Sequence, residues 1–109
     1  MEALEQDILN WIADHSASVE LSAQISAAVV KKRDSMPTGV FLYFAVADDL
    51  AAVAQTVKPQ CPHIDGADLM DGAGCSLMMK NGYLHYLEIY TRGGFMPEAL
   101  QHYELREIV

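Results

Sequence analysis

The chain has 109 residues, 51% of them hydrophobic, and its fifteen Asp/Glu against seven Lys/Arg give a formal net charge of −8. This is the size of one domain, residues 1–109, large enough to fold without a metal or disulfide and too apolar to be disordered. The negative balance disfavours a nucleic-acid backbone as partner, because phosphate binding needs a cationic face.

The N-terminus, MEALEQDILNWI, lacks a basic leader and continues into amphipathic periodicity, so it reads as structure. The longest apolar run, Val40–Ala47, is too short to cross a bilayer, and Cys61 and Cys75 do not make a secreted disulfide framework. No membrane is implied, and a cytoplasmic location is expected. Leu4, Ile8, Trp11 and Ile12 recur at helical spacing and predict a first helix over residues 2–14. Ser18 is the expected N-cap of a second helix, with Glu20 just inside. That helix would carry Leu21, Ile25, Ala28 and Val29 on one face and close on Lys31, Lys32 and Arg33, cations at the negative end of its dipole.

Pro37-Thr38-Gly39 punctuates the chain before a first strand, Val40–Val46, which is apolar on both faces and so expected centrally in a sheet. Asp48-Asp49 would cap a short helix over Leu50–Val57 with Leu50, Val53 and Val57 inward. Residues 58–62 must be irregular, because Pro59 and Pro62 remove donors and restrict their neighbours. Residues 63–73 are acidic and glycine-punctuated, with a short strand near His63–Asp65. Gly74–Tyr90 is two runs of strand-forming residues joined by Asn81-Gly82, the strongest short-range signal for a hairpin with a type I′ turn. A regular two-residue hairpin places Cys75, Leu77, Met79, Leu84, Tyr86, Glu88 and Tyr90 on one face. Pro97 suits a helical turn, and Tyr103–Val109 reads as the last strand. The fold class is therefore α+β: two N-terminal helices on a mainly antiparallel sheet of four or five strands, with Gly74–Tyr90 as its central hairpin.

In that register Glu88 lies among apolar neighbours and is expected to be a structural carboxylate paired with Arg92 or Arg106. Cys75 and His85 project from opposite faces, which argues against a nucleophile–base pair. No HExxH, CxxC pair or two-His spacing points to a metal. Asp65, Asp68 and Asp71 recur every third residue, which is not the calcium-loop pattern. Met70, Met78, Met79 and Met96 read as core filler. No cofactor is implied. The acids are unevenly spread: residues 34–79 hold six (Asp34, Asp48, Asp49, Asp65, Asp68, Asp71) and one base, Lys58. Such a surface suits a basic protein partner.

One ordered set of residues comprises Leu21-x-x-Gln24-Ile25, Arg33, Thr38-Gly39, Phe41, Gly72-Ala-Gly74-x-x-Leu77, Asn81-Gly82-x-Leu84-x-x-Leu87-Glu88-x-Tyr90 and Pro97-Glu98. It resembles a family of small, mostly uncharacterised bacterial proteins. A further glycine often follows Thr-Gly in that pattern, where this chain has Val40. Some small acidic proteins of this build are immunity proteins, which neutralise toxin domains delivered between competing bacteria, including contact-dependent inhibition systems. The resemblance implies a non-catalytic immunity protein blocking a basic, nuclease-type toxin domain. The contact is expected on Asp48, Asp49, Asp65, Asp68 and Asp71, since loop acids need no structural partner, in a monomer or weak homodimer. The alternative from another class is a small enzyme or ligand-binding domain using Glu88, His85 or Tyr86 in a pocket.

Overall fold

Two helices and six strands follow one another as α1 (Ala3–His15), α2 (Val19–Ala27), β1 (Val29–Met36), β2 (Gly39–Ala45), β3 (His63–Gly66), β4 (Ala73–Lys80), β5 (Tyr83–Thr91) and β6 (Tyr103–Arg106). The structure, a computed structural model, describes residues 1–108; Val109, the end of the expected last strand, lies outside the described residues. The α+β class holds. The sheet is antiparallel throughout and runs β1-β2-β5-β4-β3-β6, so it has six strands where four or five were expected.

The additional strand comes from the end of the second helix. Ser18 caps α2 as expected, its hydroxyl accepting the Leu21 N–H at 3.2 Å, but the helix stops at Ala27. From Val29 the chain is extended and pairs with β2, Val30 opposite Phe44 and Arg33 opposite Leu42. The β-branched Val29-Val30 pair fits this pleated surface better than a helix. Lys31, Lys32 and Arg33 therefore decorate an edge strand, where charges also discourage pairing with another chain. The expected helix over Leu50–Val57 is absent as well. Its backbone groups bond elsewhere: Val53 N–H donates to Gly82 O at 2.8 Å, and Leu50 O accepts the Tyr83 hydroxyl at 2.9 Å. Val53 is nevertheless buried, and Val57 packs against the core. No helical turn forms at Pro97; Met96 N–H instead docks on Pro37 O at 2.8 Å.

The β4–β5 hairpin is central, and its turn is of the expected kind, with φ of 55° at Asn81 and 85° at Gly82. Its register is not the regular one. Lys80 faces Tyr83 and Met79 faces Leu84, but Met78 then faces Tyr86, leaving His85 as a bulge. One inserted residue exchanges the faces of everything beyond it. Leu84, Leu87, Ile89, Cys75 and Leu77 all turn to the helices and are buried, while Tyr86, Glu88 and Tyr90 turn to the opposite face.

The core lies between the helices and this one face of the sheet. Ile8, Leu9, Ile12, Leu21 and Ile25 meet Leu42, Phe44, Ile64, Leu87 and Ile89. Two buried polar side chains organise it. Gln24, fully buried, donates to Ala51 O and Gly82 O, both at 2.9 Å, and accepts the Leu84 N–H at 3.0 Å. It thereby ties α2 to the hairpin turn and to the segment beside it. Glu5 of α1, 1% exposed, receives two hydrogen bonds from Arg33 of β1, at 2.6 and 2.8 Å, and one from Glu2 N–H at 2.9 Å. The buried structural carboxylate of this fold is thus Glu5. The pairing raises the Arg33 pKa against the opposing effect of burial.

Candidate functional site

The feature with most chemistry lies at the end of the sheet opposite the hairpin turn. β3 and β6 pair there, with His63 opposite Arg106 and Asp65 opposite Glu104. The connection from β3 to β4, residues 67–72, and the chain just before β6, Gln101 and His102, close around them. Together they border an open groove of about 890 Å³ lined by His63, Asp65, Met70, Asp71, Glu104 and Arg106, among others. Leu69, 6% exposed, anchors the 67–72 connection to the core, and Leu69 N–H donates to Gly66 O at 3.0 Å. Gly72 has φ of 75°, and a Cβ there would lie 2.5 Å from His63 Nε2, so glycine lets the connection press against the imidazole.

The polar groups of this end form a chain. Arg92 Nε donates to His63 Nδ1 at 2.9 Å, which leaves the ring proton on Nε2 to donate to Asp65 Oδ1, also at 2.9 Å. Arg106 Nε donates to the other oxygen, Asp65 Oδ2, at 2.5 Å. The Arg106 guanidinium, and after it His63, hold Asp65 below the usual carboxylate range. Tyr103, on the opposite face of β6, donates its hydroxyl to Asp7 of α1. Its pKa is pushed up to about 12, first by burial and then by that carboxylate.

The five acids expected to form one contact surface are divided by the fold. Asp65 and Asp71 line the groove, and Asp68 lies in the 67–72 connection that borders it. Asp48 and Asp49 follow β2 at the other end, next to Leu50 and Tyr83 of the hairpin end. The seven steps of β4 between Ala73 and Lys80 set the two groups roughly 23 Å apart along the strands. Asp65 is also no free loop acid, since it sits in a strand and holds two partners.

Two large exposed side chains escaped the sequence reading, Met70 in the groove lining and Phe95 outside it. Met70 is 77% exposed and Phe95 76% exposed, so Met70 is not core filler, and Met78, 43% exposed, is not either. Met70 packs near Gly94, beside Phe95. The available signal was composition: an aromatic directly after Gly93-Gly94, and a methionine between Asp68 and Asp71, have no periodic partners to bury them.

The residues of the alternative reading lie on the sheet face away from the helices. There Tyr86 meets Phe41 edge-on at 5.3 Å between ring centroids, Tyr43 lies 5.6 Å from Tyr86, and His85 lies 5.2 Å from Tyr86. Lys32 Nζ stands 5.6 Å from the Tyr43 ring. Glu88 is half-buried opposite Phe41 and Ser76. Among the described residues it pairs with neither expected arginine: Arg92 is bonded to His63 and Arg106 to Asp65. Cys75 and His85 are on opposite faces as expected, through the bulge and not through a regular register. Among the described residues, no three His, Cys, Asp or Glu side chains are gathered to hold a metal ion, and no helix is long and apolar enough to cross a membrane. Comparison with protein-family models, with curated proteins and with solved structures finds no match to this chain.

Proposed function

We propose that this protein is a non-catalytic binding protein that docks a basic protein surface on the β3–β6 end of its sheet. The observation that carries the reading is one open groove lined by the protruding Met70 together with Asp65, Asp71 and Glu104, with exposed Phe95 following Gly94, which adjoins Met70. Exposed apolar anchors inside a charged rim are the composition of a contact surface. The surplus of negative charge favours a basic partner and speeds its approach. The motif resemblance supports the narrower assignment, a bacterial immunity protein whose acids occupy the phosphate-binding cations of a nuclease-type toxin domain. Asp48 and Asp49 stand outside this interface.

The test is growth rescue and calorimetric titration with a basic, nuclease-type toxin domain. Rescue and salt-sensitive binding are expected. Reversal of Asp65, Asp68 and Asp71 to lysine should abolish both, and Met70→Ala with Phe95→Ala should weaken binding by about 2 kcal/mol or more. Reversal of Asp48 and Asp49 should leave both intact. Retained affinity in the first variant, or loss confined to the last, refutes the site; absence of rescue by the native chain refutes the immunity reading.

A further inference from the structure

The two cysteines meet where β3 stops short. β3 pairs with β4 only through Ile64 and Ala73, so beyond that point the edge of β4 is bordered by the chain leading into β3, including Cys61 and Pro62. The buried Cys75 thiol donates to Pro62 O at 3.4 Å, which sets the neighbouring Cys61 against β4 beside it, where it packs on the core. Both thiols are free; Cys61 is part-exposed and Cys75 is 7% exposed.

We infer that Cys61 and Cys75 form a peroxide-reactive thiol pair that closes reversibly into an intramolecular disulfide, with Cys61 as the attacking and Cys75 as the resolving sulfur. The surroundings assign the roles. Cys61 is part-exposed and Cys75 buried, and the nearness of Cys75, opposed by burial and aided by the Leu77 backbone, holds the Cys61 pKa below the ordinary thiol range. The same nearness, together with burial, raises that of Cys75. Cys61 thus carries the charge and meets solvent, and Cys75 keeps its proton behind it. The Cys61 thiolate attacks one peroxide oxygen, the O–O bond breaks, and the departing hydroxide takes a proton to leave as water and a Cys61 sulfenic acid. The Cys75 sulfur then attacks the Cys61 sulfur and gives up its proton, the S–O bond breaks, and a second water leaves as the S–S bond forms. Two thiols are oxidised by two electrons and one peroxide is reduced to two waters. The ring so closed contains all of β3 and the 67–72 connection, hence His63, Asp65, Met70 and Asp71. The inference does not depend on the binding reading, but oxidation would restrain the same groove.

The experiment treats the reduced, folded native chain with a small excess of hydrogen peroxide and follows thiols in denaturant, intact mass and a non-reducing digest. Both thiols should disappear, the mass should fall by two hydrogens, a Cys61–Cys75 peptide should appear, and dithiothreitol should reverse all three. Hydrogen exchange of residues 67–72 should slow in the oxidised protein. Cys75→Ala should stop at a Cys61 sulfenic acid trapped by dimedone, and in Cys61→Ala the remaining thiol should react at least tenfold more slowly than Cys61 does in the native chain. Persistence of both thiols, oxygen uptake on the native chain without the cross-link, or a cross-link only between chains overturns the inference.

Discussion

Replacing Gln24 by alanine tests whether one buried amide holds the central hairpin to the helical layer. The side chain makes three hydrogen bonds, and the groups it would abandon differ in their access to water. Leu84 is 4% exposed, so its N–H would be left without a partner at a cost of about 1–3 kcal/mol. The carbonyls of exposed Ala51 and half-buried Gly82 can take water and contribute little. Vacating a fully buried side chain adds about 1 kcal/mol for the cavity. The expected loss is about 3 kcal/mol, or roughly 12 °C in Tm for a domain of this size. Urea unfolding followed by far-UV dichroism measures it, and an unchanged m-value shows that the transition remains comparable. Native-state exchange at Leu84 should accelerate beyond the global change. A loss below about 1 kcal/mol with unchanged exchange would refute the reasoning, because the hairpin would then be held by its apolar contacts alone.

Glu5→Ala should cost about 2 kcal/mol in the same assay: it strands Arg33, whose side chain is 35% exposed and so partly rescued by water, which keeps the loss below that of a fully buried pair. Glu88→Gln should change stability by less than about 0.5 kcal/mol, since no ion pair among the described residues is lost; a large loss would restore Glu88 as a structural carboxylate. Asp65 has a folded pKa below its unfolded value, so its contribution is present above about pH 4 and fades as pH falls through the folded pKa. Acid unfolding of native and Asp65→Asn proteins should therefore differ most above about pH 4 and converge below it. Tyr103 has the opposite sign: its folded pKa of about 12 lies above the unfolded value, so its contribution is present below about pH 10 and lost as pH rises to the folded value. Spectrophotometric titration should show a late component that Tyr103→Phe removes.

The residues of the ordered set picked out in the sequence have structural tasks in this fold. Gln24 reaches the turn at Gly82, Arg33 holds Glu5, and a Cβ on Gly39 would fall 2.1 Å from Ile89 O. Such a motif is informative about architecture, and for the same reason it does not by itself point to the groove. Met70, Phe95 and Glu104 belong to none of its elements.

Local chemistry in the sequence determined the first helix, the Ser18 cap, the Asn81-Gly82 turn, the central place of the hairpin and the α+β class, because each depends on neighbours a few residues apart. Tertiary contact decided the rest. Residues 29–36 became a strand because β2 offered partners, and residues 50–57 stayed irregular because Gly82 and Tyr83 claimed their backbone groups. A single bulge at His85 turned Glu88 away from the core, a shift no alternation of residue types announces. The groove joins residues from 63–72 and 101–106, and only the pairing of β3 with β6 brings them to one place.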